Sequence, residues 1–352
     1  NLNFYKSKLH SNTKIMVMVK AFGYGNGGFE IAKLLEHNSV DYLGVAFADE
    51  GIELRKAGIT LPIMVLNPEN SSFPAMIAYD LEPEIYSITG LQAFLELAQQ
   101  KNITSYPIHI KLDTGMHRLG FEANDIDALI FLLRNNNFVT VKSVFSHLSA
   151  SDDTQFDDFT QLQFERFHTL SQKIIKTLDI QPIRHILNTS GIFNYAQEMQ
   201  LEMVRLGIGL YGMGNSKLER NNLQNVSTLK SVISQIREVK EGESIGYSRK
   251  FMVTKRMKVA TIPIGYADGI RRAWGNEKGY VVIKNQKAPI LGNVCMDMLM
   301  VDVTSISCIA GDDVIIFGEN PNITEIATVT ETIPYEILTG ISQRVKRVFY
   351  KN

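Results

Sequence analysis

Eight times before about residue 213, a short apolar run is followed by a stretch with helical periodicity. That alternation restricts this part of the chain to an α/β arrangement. The strand candidates are 15–20, 42–46, 62–66, 83–87, 108–112, 139–146, 183–187 and 203–206. Most are rich in Val, Ile, Leu and Met, as parallel strands covered on both faces should be. Helical segments such as 29–36, 48–57, 90–100, 126–134 and 156–177 lie between them. Eight strand-then-helix units without an internal sequence repeat predict a TIM-type (β/α)8 barrel over residues 1–215.

The texture then changes. Residues 216–224 are polar and aperiodic and read as a linker. Beyond them, 231–238, 258–264, 280–284, 288–293, 299–303 and 314–317 are short and often β-branched, and turn pairs such as Glu241-Gly242 and Gly311-Asp312 fall between them. This predicts a mainly β domain over 216–352, with one or two late helices. A formal charge of -1 without a basic run argues against nucleic acid or an anionic membrane as partner. No run approaches the roughly 18 apolar residues of a membrane span, and the start lacks the pattern of a secretion signal. Cys295 and Cys308 form neither a C-x-x-C pair nor a zinc spacing, so a reducing, cytoplasmic setting is expected. Asn1-Leu2-Asn3-Phe4-Tyr5 reads as the middle of an amphipathic helix without an initiator Met. That reading raises the expectation of a longer polypeptide.

In barrels of this kind, chemistry gathers where strands end. Lys20 ends the first run, and Lys111, Asp113 and Arg118 follow the fifth. His147 closes the sixth, Asn188-Thr189-Ser190 the seventh, and Arg205 with Gly207-Ile208-Gly209 the eighth. The loops after strands seven and eight are the usual phosphate cradle, and Thr189, Ser190 and the amides of Gly207 and Ile208 supply donors there. Each residue also has a plainer explanation. Lys20 could be a snorkelling strand end, and His147 a hydrogen-bonded core histidine. The glycine-rich Gly23-Tyr24-Gly25-Asn26-Gly27-Gly28 could be a flexible turn, and Gly265-Tyr266-Ala267-Asp268-Gly269 a tight one. No two histidines sit at ligand spacing on one helix, so no metal is expected.

Taken together, these segments resemble one family. Val17-Met18-Val19-Lys20-Ala21-Phe22-Gly23-Tyr24-Gly25 is similar to the cofactor-lysine segment of alanine racemases. Lys111-Leu112-Asp113-Thr114-Gly115-Met116-His117-Arg118-Leu119-Gly120 resembles their fifth-strand motif, and Val204-Arg205-Leu206-Gly207-Ile208-Gly209-Leu210-Tyr211-Gly212 their eighth. Gly265-Tyr266-Ala267-Asp268-Gly269 and Gly292-Asn293-Val294-Cys295-Met296-Asp297 complete the set in the family's order. The resemblance implies a homodimer with shared active sites and pyridoxal 5'-phosphate bonded to Lys20. By the same resemblance Tyr24 reaches the phosphate, with Thr189 or Ser190 and the amides of Gly207 and Ile208. Arg205 faces the pyridine nitrogen, and His147 lies beside the ring. Arg118 approaches the substrate carboxylate, and Tyr266 and Met296 arrive from the other chain. Lys111 matches a lysine that many members carry in carboxylated form, the alternative being an ordinary lysine paired with a carboxylate. Two departures stand out: the opening strand before the first helix is missing, and Gln343 occupies a place where many members have a tyrosine.

The implied reaction interconverts L- and D-alanine, supplying D-alanine for peptidoglycan. It needs acid–base groups on both faces of the substrate, which Lys20 and Tyr266 would provide. Their unperturbed pKa values, about 10.4 and about 10, call for tuning by the surroundings. An arginine at the pyridine nitrogen keeps its own proton, which weakens the electron sink and limits side reactions. The alternatives are a racemase for serine or a broad range of amino acids, and a non-catalytic pyridoxal-phosphate-binding protein. A barrel-type decarboxylase would place an acidic residue where Arg205 stands.

Overall fold

The computed structural model of the chain describes residues 1–350. Contacts group residues 1–23 with 27–223 in one unit, and 24–26 with the chain from 224 onward in a second.

In the first unit, β1 (Lys14–Met18), β2 (Tyr42–Val45), β3 (Ile63–Val65), β4 (Leu81–Ile85), β5 (Tyr106–Lys111), β6 (Val139–Phe145), β7 (Ile183–His185) and β8 (Met203–Leu206) form one parallel sheet. β1 pairs with both β2 and β8, with Met16 opposite Tyr42 on one side and Arg205 on the other. The Arg205 N–H donates to the Leu187 carbonyl at 2.9 Å, so β8 also meets the end of β7 and the barrel closes. The expected eight-strand alternation is therefore what the chain adopts. Its helices start where caps are available: Ser87 Oγ accepts from the Gly90 N–H ahead of Ile88–Gln100, and Asn188 Oδ1 from the Gly191 N–H ahead of Thr189–Met199.

Side chains alternate between the two faces of each strand. Ile15, Val17 and Val19 join Leu43, Val45, Ile63, Val65, Ile108 and Ile110 in the apolar layer beneath the helices. Met16, Met18 and Met64 are buried without belonging to that layer, as residues of the barrel interior should be. Gly44 faces inward with them. A Cβ there would come within 2.6 Å of the Met18 methyl, so the missing side chain makes room for the methionines.

The expected linker does not hold throughout. Lys217–Arg220 forms a helical turn capped by Ser216 Oγ, and Glu219 accepts a 2.8 Å hydrogen bond from the Tyr5 hydroxyl. That buried bond ties the segment to the first unit.

The second unit is a seven-stranded sheet built from β9 (Leu229–Val232), β10 (Gln235–Val239), β13 (Met257–Ile262), β14 (Tyr280–Ile283), β15 (Gln286–Leu291), β16 (Leu299–Asp302) and β17 (Asp313–Phe317). A small hairpin, β11 (Ser244–Ile245) with β12 (Phe251–Met252), stands apart from it. The sheet order is β10-β13-β16-β15-β14-β17-β9, with antiparallel pairing throughout. The run expected as one strand over 231–238 is two strands at opposite ends of that order. Only Ile233 and Ser234 separate them, so the sheet must roll until its ends are adjacent. Two helices, Ile323–Val329 and Pro334–Thr339, follow the last strand.

Candidate active site

β1 stops two residues before Lys20, earlier than the expected strand. Lys20 instead opens a turn in which Ala21, Phe22 and Gly23 have φ of 52°, 55° and 58°. Left-handed backbone costs roughly 1–2 kcal/mol for each residue with a Cβ, so the turn needs support. Glu50 supplies it, accepting from the Ala21 N–H at 2.6 Å and from the Ala46 N–H at 2.7 Å. Burial and the Arg118 guanidinium hold the Lys20 amine below its ordinary lysine pKa, partly opposed by Glu50 and Glu84. A lysine shifted this way is a better nucleophile near neutral pH.

Arg118 is carried by a returning loop after β5. The Asp113 N–H donates to the Phe121 carbonyl and the Phe121 N–H to the Lys111 carbonyl, at 3.0 and 2.8 Å. Asp113 Oδ1 accepts from the N–H groups of Gly115 and Met116. Gly120, at φ +136°, sits so close that a Cβ would lie 2.4 Å from the Asp113 nitrogen. Only glycine fits that position.

Below this loop lies a buried cluster. Lys111 Nζ stands 3.6 Å from Glu84, and both are buried. Burial dominates both shifts, lowering the lysine and raising the carboxyl. Arg205, 4% exposed, spends both terminal nitrogens on the barrel. Nη1 donates to His185 Nδ1 at 2.6 Å, and Nη2 donates to the Ser146 and Ile186 carbonyls at 2.6 and 3.1 Å. Burial pushes the guanidinium down to about 10, so it keeps its charge at neutral pH. Its Nε–H has no partner among the described residues. His147 Nδ1 lies 3.2 Å from Arg205 Nη2. Burial first, then Arg205, Lys111, Arg118 and Lys20, hold the His147 pKa well below its ordinary value. Four basic side chains thus surround one neutral imidazole and one buried carboxyl group.

Thr189 and Ser190 are the first residues of the helix Thr189–Met199, whose free N–H groups and dipole favour an anion. Thr189 Oγ1 accepts from the Gly207 N–H at 2.9 Å, and Ser190 Oγ is bonded to Asn215. Gly207 and Ile208 are buried beside them. These groups fit pyridoxal 5'-phosphate: an amine for its aldehyde, an N–H for its ring nitrogen and a helix start for its phosphate. Once bound, the cofactor would supply the electron sink that the side chains lack.

Tyr24 is buried in the second unit, its ring 6.0 Å from Tyr335, and burial pushes its phenol up. Tyr266 and Met296 stay 45% and 54% exposed. Their segments are zipped together, the Tyr266 N–H donating to the Cys295 carbonyl and the Ala267 N–H to the Met296 carbonyl, both at 2.9 Å. Gly265 permits this, because a Cβ would meet the Cys295 and Met296 carbonyls at 2.3 and 2.4 Å. Arg344 bridges Asp268 and Asp297 at 2.7 Å each, a clamp absent from the sequence reading. Gln343 beside it is exposed. Glu84, His109, Ser143 and His185 were also missed. Their signal was the two-residue spacing Glu82/Glu84, His109/Lys111 and Ser143/Phe145 inside otherwise apolar strands. Among the described residues, no cluster of His, Cys, Asp and Glu could hold a metal.

Two family models match the chain: the alanine racemase N-terminal domain over residues 1–215 and the C-terminal domain over residues 226–349. Fold and site together define a barrel-type amino-acid racemase, an isomerase. The alanine racemase of Halothermothrix orenii is 37% identical over 360 residues, spanning 100% of this chain and 94% of its own. The solved alanine racemase of Clostridium difficile 630 superposes with a TM-score of 0.94 at 36% identity, covering 100% of this chain and 92% of that one. That of Bartonella henselae, solved with covalently bound pyridoxal phosphate, gives 0.87 at 28% identity, covering 99% and 96%. The chain belongs to the alanine racemase family.

Proposed function

We propose that this racemase interconverts L- and D-alanine with pyridoxal 5'-phosphate bonded to Lys20, as a homodimer whose sites are each completed by Tyr266 of the partner subunit. The observation that carries this reading is the convergence of Lys20, Lys111, Arg118 and Arg205 around His147, with Glu84 as the buried acidic group among them. Lys20 and Tyr266 of the partner subunit would exchange a proton with the substrate α-carbon from opposite faces. Arg205 would present its Nε–H to the pyridine nitrogen, leaving that nitrogen an acceptor and the electron sink shallow. Arg118 would meet the substrate carboxylate, and Met296 of the partner subunit would line the site. Tyr24, Thr189, Ser190 and the amides of Gly207 and Ile208 would hold the phosphate, the Gly207 N–H turning to it from Thr189 Oγ1. Lys111 is read as an unmodified amine balanced by Glu84, since a carbamate there would stand beside a second buried anion. The exposure of Tyr266 and Met296 in one chain supports sharing between two. Both cysteines are free, which suits a cytoplasmic enzyme supplying D-alanine for peptidoglycan.

Racemisation assays on alanine, serine and larger amino acids, with and without added cofactor, test the substrate. Alanine should be turned over fastest, and serine turning over as fast would favour a broad-range racemase. Mixing Lys20→Ala with Tyr266→Ala chains tests the sharing. Each variant alone should be nearly inactive, and heterodimers with one intact site should recover activity. Exchange of subunits without recovery would place the site within one chain.

A further inference from the structure

Five inward-facing side chains of the barrel form a continuous hydrogen-bonded row. Arg205 Nη1 lies 2.6 Å from His185 Nδ1, and His185 Nε2 lies 2.9 Å from Ser143 Oγ. Ser143 Oγ lies 2.7 Å from His109 Nδ1, and His109 Nε2 lies 2.7 Å from Glu82 Oε2. Ser143 and both histidines are wholly buried. Phe145 stacks on His185 at 4.8 Å with 3° between planes, and the edge of Tyr42 meets His109 at 5.9 Å. These rings hold both imidazoles in plane.

The ends of the row decide where every proton lies. A guanidinium can only donate and a carboxylate can only accept. His185 Nδ1 must therefore accept from Arg205, which leaves its single ring proton on Nε2, directed at Ser143. Ser143 accepts that bond and has one proton to give, to His109 Nδ1. His109 in turn carries its proton on Nε2 and donates to Glu82. With Glu82 ionised and both imidazoles neutral, this is the one order that makes all four bonds.

We propose that Glu82, His109, Ser143 and His185 act as a polarised relay of positioning residues that holds Arg205 charged and oriented toward the cofactor's pyridine nitrogen. The proposal rests on the reading of Arg205 given above. Each bond in such a chain strengthens the next, so the Glu82 charge is felt at Arg205 through four hydrogen bonds. A planar fork pinned at both terminal nitrogens leaves Nε–H as the donor free for the ring nitrogen.

Nitrogen-15 NMR of histidine-labelled holoenzyme tests the order of protons. His185 and His109 should both be neutral with the proton on Nε2. Glu82→Gln fills the same space without the charge, and it should shift the His185 ring nitrogens although two residues intervene. Ser143→Ala should abolish that transmitted shift. It should also lower kcat by roughly ten- to a hundredfold with little change in KM, by analogy with the loss of outer hydrogen-bond partners of metal-bound histidines. Ser143→Thr, which keeps the hydroxyl, should restore both. A cationic histidine, a proton on Nδ1 of either ring, or unmoved His185 nitrogens in Glu82→Gln would overturn the relay. If Ser143→Ala does not fold, the Glu82→Gln spectra decide alone. Any of these failures would leave alanine turnover and cofactor attachment to Lys20 intact, so they are distinct from failure of the proposed function.

Discussion

The two faces of the barrel strands carry opposite chemistry. Facing the helices, Ile15, Val17, Leu43, Ile63, Ile108 and Ile110 form a continuous apolar layer. Facing inward, β1 to β3 contribute methionines, Gly44 and Tyr42, while β4 to β8 contribute Glu82, Glu84, His109, Lys111, Ser143, His185 and Arg205. The first face stabilises the fold by removing area from water. The second holds ionisable groups that are costly to bury unless each has a partner, and it leads to the candidate site groups at the strand ends. Stability and chemistry are thus separated by the two-residue period of a strand.

Substitutions on each face should separate in the same way. The largest effect is expected at Glu84→Gln, which leaves Lys111 buried without its anion. Breaking a buried pair typically costs roughly 3–5 kcal/mol, which urea unfolding would register. If Glu84 is what keeps Lys111 unmodified, bicarbonate labelled with carbon-13 should give a carbamate signal on Lys111 in this variant and none in the parent protein. A carbamate in the parent would mean that Lys111 itself supplies the anion. Next comes Ile110→Ala on the outer face. It should cost roughly 2–5 kcal/mol while the folded fraction turns over at the parent rate; a large fall in kcat would show that the faces are coupled.

The third effect is a pH shift. The Lys20 amine lies below its ordinary value because of burial and the Arg118 charge. Reloading of stripped protein with cofactor should therefore have its midpoint below that of an exposed lysine. Arg118→Gln removes a repelling cation and should move the midpoint upward, as read from absorbance at a series of pH values. No movement would mean that Arg118 stands too far away. The smallest effect is expected at Ser87→Ala, away from both faces, where loss of the cap to Gly90 should cost about 1 kcal/mol and leave kinetics unchanged.

The outward face was legible from sequence because it makes each strand a run of branched apolar residues, and all eight runs of the barrel are strands. The candidates Lys20, His147 and Thr189 were legible for the same reason, since they stand where the apolar signal stops, whereas Arg118 and Arg205 were legible through the family-like segments that carry them. Glu84, His109, Ser143 and His185 were not, because a charged residue between two apolar ones looks like an interruption until the alternation is followed. Lys20 was expected to end a strand, but Glu50 holds the chain in a left-handed turn, an interaction across 29 residues that no local pattern carries. The break at Ile233 and Ser234 was hidden by the uniform strand composition on both sides. Only the rolling of the sheet divides that run.

If the inward-facing cluster activates Lys20, among all the lysines, as the cofactor's anchor, that amine alone should hold the aldehyde. Borohydride reduction of the cofactor-loaded protein, followed by peptide mapping, tests it most directly, because the reduced bond marks whichever amine held the aldehyde. One labelled peptide is expected, carrying the cofactor on Lys20, and no label in Lys20→Ala. Label on Lys111 or any surface lysine, or equal labelling of Lys20→Ala, would contradict it.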